Sequence, residues 1–217
     1  LTDSSAASDV YKRQNLVYRY RQGNTNVDTG EWVHAVVTYD GRGGNDANDG
    51  IKIYVNGQEE SSYTNGSAGT YEAMHNTPRI VQIGAYNSVG NFDGQISNAA
   101  IFDKELTSTE VMKLYNSSVP SDLSSFHPSP VAWWSLGSDS YYNGANYICP
   151  DLIGTNNGTS SGMDANALVG NAPNSTANGT STNMTIGANL TGSAPNSSNN
   201  SFSVNMSFDD RETDVPS

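Results

Sequence analysis

Asp46 and Asp49 lie in the run Asn45-Asp46-Ala47-Asn48-Asp49-Gly50, where side-chain oxygens cluster beside a flexible glycine. Hard oxygen ligands on a tight turn are what a calcium ion takes, so Asp46 and Asp49 are the candidate metal ligands and Ca2+ the one cofactor the residues allow. The run departs from an EF-hand, because Gly50 stands at the fifth position from Asp46 and no bidentate glutamate follows at the required place. An ordinary turn rich in Asx residues fits the same letters. A second chemistry is stacking. Tyr63, Tyr71 and Tyr86 sit among small polar residues and could each offer a ring face to a pyranose, although exposed tyrosines also occur without that task. Acid–base work on a strand would need two carboxylates on one face. Glu31, Glu72, Glu105 and Glu110 are isolated, and Glu59 and Glu60 are adjacent and so point to opposite faces. His34, His75 and His127 lack ligand-like spacing, and Cys149, the single cysteine, has no partnering histidine nearby. No catalytic residue is assigned, and the expectation is a protein that is not an enzyme.

The elements that would position these residues are strands. Leu16, Tyr18 and Tyr20 alternate with Val17, Arg19 and Arg21, which predicts a strand with one polar face. Residues 31–40 carry apolar groups on both parities, as a central strand does, and this favours a packed role for Trp32 and His34 over a sugar platform or a metal ligand. Ile51, Ile53 and Val55 run into Asn56-Gly57, the strongest short signal for a two-residue hairpin. Residues 61–78 read as a polar connection. Phe92, Ile96, Ala100 and Phe102 share one parity of a further strand, and a short helix near 107–115 follows. Thr107 and Glu110 are spaced as a capping box, and Leu106 and Val111 as a hydrophobic staple.

Two groups of residues carry a family resemblance. Trp32-x-His34, Thr38-Tyr39-Asp40-Gly41 and Ile51-x-Ile53-Tyr54-Val55-Asn56-Gly57 form the first, and Phe92-x-Gly94-x-Ile96 with Leu106-Thr107-x-x-Glu110-Val111 the second. Together, over about residues 15–116, they resemble the laminin-G-like, concanavalin-A-like sandwich family. The resemblance implies an all-β chain folded as an antiparallel β-sandwich of jelly-roll type. Family members often have Asp-Glu after the isoleucine where this chain has Ser97-Asn98, so no calcium or ligand role carries over to those positions. Glycoside hydrolases of this fold use a Glu-x-Asp-x-x-Glu strand that this sequence does not contain.

Residues 9–14, Asp-Val-Tyr-Lys-Arg-Gln, resemble a sequencing adaptor read through as protein. Residues 1–14 are accordingly set apart as artefact or disordered chain, and 15–138 are assigned to an N-terminally truncated sandwich. The stretch 131–140, with Trp133 and Trp134 on opposite faces, either closes this sandwich, which we favour, or opens a second unit. Residues 139–217 are rich in Asn, Ser, Thr and Gly and are expected to lie along the sandwich, ending in a strand near 201–208. This tail also resembles the C-terminal part of structural proteins of marine tailed phages. A net charge of −12 leaves no basic surface for nucleic acid or an anionic membrane, and no apolar run is long enough for membrane insertion. The expected function is non-catalytic recognition or structure. The partner would be a glycan or a neighbouring protein, and the setting extracellular or a virion surface, as a homo-oligomer or a repeat within a larger assembly. The alternative is a fragment of a carbohydrate-active enzyme whose catalytic strand is missing.

Overall fold

The computed structural model describes residues 17–74, 80–86, 90–137, 139–169, 183–186, 190–193 and 201–208. The first nine strands are β1 (Tyr18–Gly23), β2 (Trp32–Tyr39), β3 (Ile51–Val55), β4 (Gln58–Glu59), β5 (Tyr63–Ala68), β6 (Ile80–Ile83), β7 (Ala85–Tyr86), β8 (Gly90–Asn91) and β9 (Gly94–Phe102). Helix α1 (Ser108–Tyr115) follows. Next come β10 (Ala132–Trp134), β11 (Tyr141–Tyr142), β12 (Tyr147–Cys149), β13 (Gly158–Ser160), β14 (Leu168–Val169), β15 (Asn183–Ile186), β16 (Leu190–Ser193) and β17 (Ser201–Phe208).

One sheet runs β14-β15-β9-β17-β2-β3-β4, with β10 paired to β9, and a second runs β11-β12-β13-β16-β6. All the pairings are antiparallel. Apolar side chains from both sheets meet in one core, in which Ala35, Ile83, Ile96, Ala99, Ile101, Trp134, Tyr147 and Cys149 are buried together. The described residues thus form an all-β sandwich with one short α-helix. A second cluster, including Val36, Tyr54, Ala100, Phe102, Val111, Leu114 and Trp133, lies on the outer face of the larger sheet beneath α1. The strands after residue 138 are woven into this frame. β6 pairs with β16, and β17 lies between β9 and β2. β10 joins β9, so the tryptophan stretch adds to this sandwich, with Trp134 in the core between sheets and Trp133 under the helix.

Local chemistry explains the helix and the hairpin. Thr107 accepts the Glu110 N–H, the Glu110 carboxylate accepts the Thr107 N–H at 2.7 Å, and Leu106 and Val111 are both buried in the cluster beneath. Asn56 and Gly57 have φ of 49° and 79°, the paired positive values that a two-residue turn of this hand requires.

Three expectations are corrected. Residues 63–68, read as part of a polar connection, form β5, because they pair with β1 from Tyr18↔Ala68 to Gly23↔Tyr63. The parity assigned to β9 holds only in part. Ser203 faces Ala100 while Asn205 faces Ser97, so β9 carries a bulge at Asn98, whose φ is 60°. The extra residue reverses the alternation, and Ile96 enters the core between sheets while Ala100 and Phe102 face the helix. Lastly, the arginine face of β1 turns inward: Arg19 and Arg21 are 9% and 7% exposed.

Two buried polar groups lock these joints. Asn98 accepts the Trp133 indole N–H at 2.5 Å and donates to the Ser121 carbonyl at 3.0 Å, satisfying the bulge. Asp151 accepts the backbone N–H groups of Trp133, Ile153, Gly154 and Asn156 at 3.0–3.2 Å and ties the turn after β12 to β10.

Candidate functional site

The inward arginines of β1 bring together residues that sequence reasoning had treated separately. Period-2 alternation puts Arg19 and Arg21 on one face of the β1–β5 ribbon with their cross-strand partners Ser67 and Asn65, and Tyr63 lies one step further along that face, opposite Gly23. The turn at 45–50, with its 3-10 segment Ala47–Gly50, lies against this face.

Arg19 spends its guanidinium on structure. It donates to the carbonyl and side-chain oxygens of Asn45 at 2.9 and 2.8 Å and to the carbonyls of Tyr18, Ala68 and Gly69 at 2.7–3.2 Å. The Tyr71 ring centroid lies 5.8 Å from its carbon. Tyr71 is half-buried beside Tyr39, whose hydroxyl donates to the Arg42 carbonyl. Burial raises the Tyr71 hydroxyl above its ordinary value, with Tyr39 and the Arg19 charge offsetting part of the rise.

Arg21 holds the exposed part of the site. It donates to Asn65 Oδ1 at 3.0 Å, pairs with Asp49 at 3.6 Å, and places its guanidinium 3.7 Å from the Tyr63 ring centroid. Cation–π contact at that distance fixes the ring plane. Tyr63 nevertheless remains 43% exposed. With one face covered, that exposure belongs to the other face and the edge. Asn24 donates to the Ser62 hydroxyl at 2.9 Å, and the Asp49 side chain stands 58% exposed.

Of the sequence-derived candidates, Tyr63, Tyr71 and Asp49 converge here through the two arginines. Asp46 precedes the 3-10 segment and accepts the Asp49 N–H through its carbonyl at 3.0 Å. Tyr86 is in β7, and its side chain lies outside the described residues. The turn that carries the candidate calcium ligands meets cations of the chain itself, since oxygens of Asn45 and Asp49 are directed at guanidinium groups. Among the described residues no three His, Cys, Asp or Glu side chains gather as a metal set. The two residues that organise the site, Arg19 and Arg21, were read only as the polar face of a strand. Their signal was the repeat Tyr-Arg-Tyr-Arg, in which arginine, able to stack and to form several hydrogen bonds at once, can be buried where lysine would be costly.

No helix among the described residues is long and apolar enough to cross a membrane. Residues 5–112 match the family model described as the concanavalin A-like lectin/glucanases superfamily. The match reaches from within the segment 1–14 to the middle of α1, and residues 1–14 themselves lie outside the described residues. No curated protein matches the chain. No solved structure matches it either.

Proposed function

We propose, from the likeness of residues 5–112 to the concanavalin A-like lectin/glucanases superfamily, that the chain is a non-catalytic recognition module whose ligand is a glycan. One observation carries this reading: Tyr63 is 43% exposed while Arg21 clamps its other face at 3.7 Å. A sugar ring presents an apolar C–H face and a hydroxyl rim. Tyr63 offers the flat apolar partner. The clamp matters because a ring already held in plane loses little freedom on binding. The carboxylates of the β3–β4 hairpin have other work. Glu59 accepts the Tyr54 hydroxyl at 3.4 Å and Glu60 the Thr25 N–H at 3.2 Å. Each such contact is weak, so we place the module on an extracellular or virion surface, where repeated copies would multiply modest affinities.

The test is a glycan array probed with the full chain, followed by solution binding of the strongest hits. Saturable binding to one structural class of glycan is expected. Retention of no glycan, with the chain shown to be folded by its unfolding transition, would overturn the reading.

A further inference from the structure

The turn between β11 and β12 carries chemistry of a different kind from the Tyr63 site. It holds one of the four Asn-Gly pairs among the described residues, which are Asn56-Gly57, Asn65-Gly66, Asn143-Gly144 and Asn157-Gly158; a further pair, Asn178-Gly179, lies outside them. Such a pair can react with itself. The glycine backbone nitrogen, unhindered by a Cβ, bonds to the asparagine Cγ, the Cγ–Nδ2 bond breaks and ammonia leaves. The cyclic imide that results takes up water and opens as aspartate or isoaspartate. The reaction asks for a side-chain oxygen that can take on negative charge and for a glycine that is free to move.

Three of the four pairs are held. Gly57 is buried, and Met112 and Tyr115 of α1 stand 3.0 Å from where a Cβ on it would be. Gly66 lies opposite Tyr20 in the β1–β5 ladder and beneath its ring, while Asn65 Oδ1 is bound by Arg21. Gly158 is buried and lies opposite Cys149 in the β12–β13 ladder, while Asn157 Oδ1 accepts the Asp151 N–H at 3.0 Å.

Asn143-Gly144 differs on both counts. Gly144 is exposed with φ of 98°, and apart from its chain neighbours nothing lies within 4 Å of its Cβ position. Its hairpin includes β11, an edge strand of two residues that pairs among the described residues with β12 alone, so few bonds resist its movement. Asn143 Oδ1 accepts the Ala145 N–H at 3.0 Å and the Asn146 N–H at 2.9 Å, which folds the carboxamide back over the Gly144 peptide. Attack at Cγ puts negative charge on that oxygen, where two backbone donors already point. We infer that Asn143 is a self-modification site, at which the folded chain loses ammonia and acquires aspartate or isoaspartate. Aspartate keeps both N–H bonds and adds a negative charge to the turn. Isoaspartate adds a backbone carbon between Tyr142 and Tyr147, whose ring centroids are 5.4 Å apart.

The test is peptide mapping by mass spectrometry of the full chain incubated at mildly alkaline pH, folded and in urea, with hydroxylamine added to cleave at the imide. In the folded chain Asn143 is expected to convert several-fold faster than Asn56, Asn65 or Asn157, with hydroxylamine cutting between 143 and 144. In urea, where the local packing is gone, the four rates should converge. Asn143→Gln, which would have to close a larger ring, should lose the cut at this place while unfolding as the parent does. The inference is overturned if Asn143 in the folded chain converts no faster than the other three, or if hydroxylamine leaves the folded parent uncut after Asn143.

Discussion

At the residue scale, the account depends on polar side chains in buried places. His34 lies within β2, and burial lowers its imidazole from 6.5 to about 4, so the folded chain keeps it neutral where the unfolded chain takes up a proton. The stability this contributes is complete above pH 6.5 and is lost as pH falls toward 4, amounting to about 3 kcal/mol. Urea unfolding across that interval should show the loss in the parent and little of it in His34→Gln. For Asp151, burial alone would raise the carboxyl, but the N–H groups of Gly154, Trp133, Asn156 and Ile153 outweigh it and hold the carboxyl below its usual range. Its contribution is present above an aspartate's ordinary pKa and disappears as pH drops below it. Asp151→Asn puts an NH2 group among backbone donors and should cost about 2–4 kcal/mol at neutral pH, read from the urea midpoint. Neither role was legible in the sequence. His34 could be read only as packed, and Asp151 is recognised by donors that converge from β10 and from its own turn.

At the element scale, what was legible is what neighbours in sequence encode. The capping box, the staple and the Asn-Gly hairpin each need residues within five positions of one another, and each stands as expected. Thr107→Ala should therefore lower stability by about 1 kcal/mol, visible as a lower thermal midpoint with unchanged strand signal. β5 was missed because nothing in Tyr63–Ala68 alternates in hydrophobicity. Its identity as a strand comes from pairing with β1, and its Gly66 leaves space for the Tyr20 ring that lies over it. Gly66→Ala should force that ring aside and cost about 1–3 kcal/mol, with the near-ultraviolet tyrosine signal altered. The parity of β9 failed for a related reason. A single bulge at Asn98 inverts every later side chain, and an asparagine in an apolar run signals it only faintly.

At the scale of the whole molecule, the fold class was readable through the family resemblance that the two motif groups carry, whereas the integration of the tail was readable only as a final strand. β17 exchanges hydrogen bonds with both β9 and β2, so residues far apart in the chain complete one sheet. Ser203 faces Val36 on one side and Ala100 on the other, and Ser203→Pro removes a donor from an interior strand. It should cost about 3 kcal/mol or more and broaden or abolish cooperative unfolding. The same long-range order makes the candidate site. Arg21 is inward because β1 lies against β5 and the 45–50 turn, and Tyr63 is fixed because Arg21 is. The most direct test is saturation-transfer difference NMR on the intact chain with the glycan selected by the array. The account predicts transfer to the sugar's C–H protons from the Tyr63 ring, weakened or lost in Tyr63→Ala, retained in Tyr63→Phe, and with both variants unfolding as the parent does. Undiminished transfer in a folded Tyr63→Ala chain would contradict it.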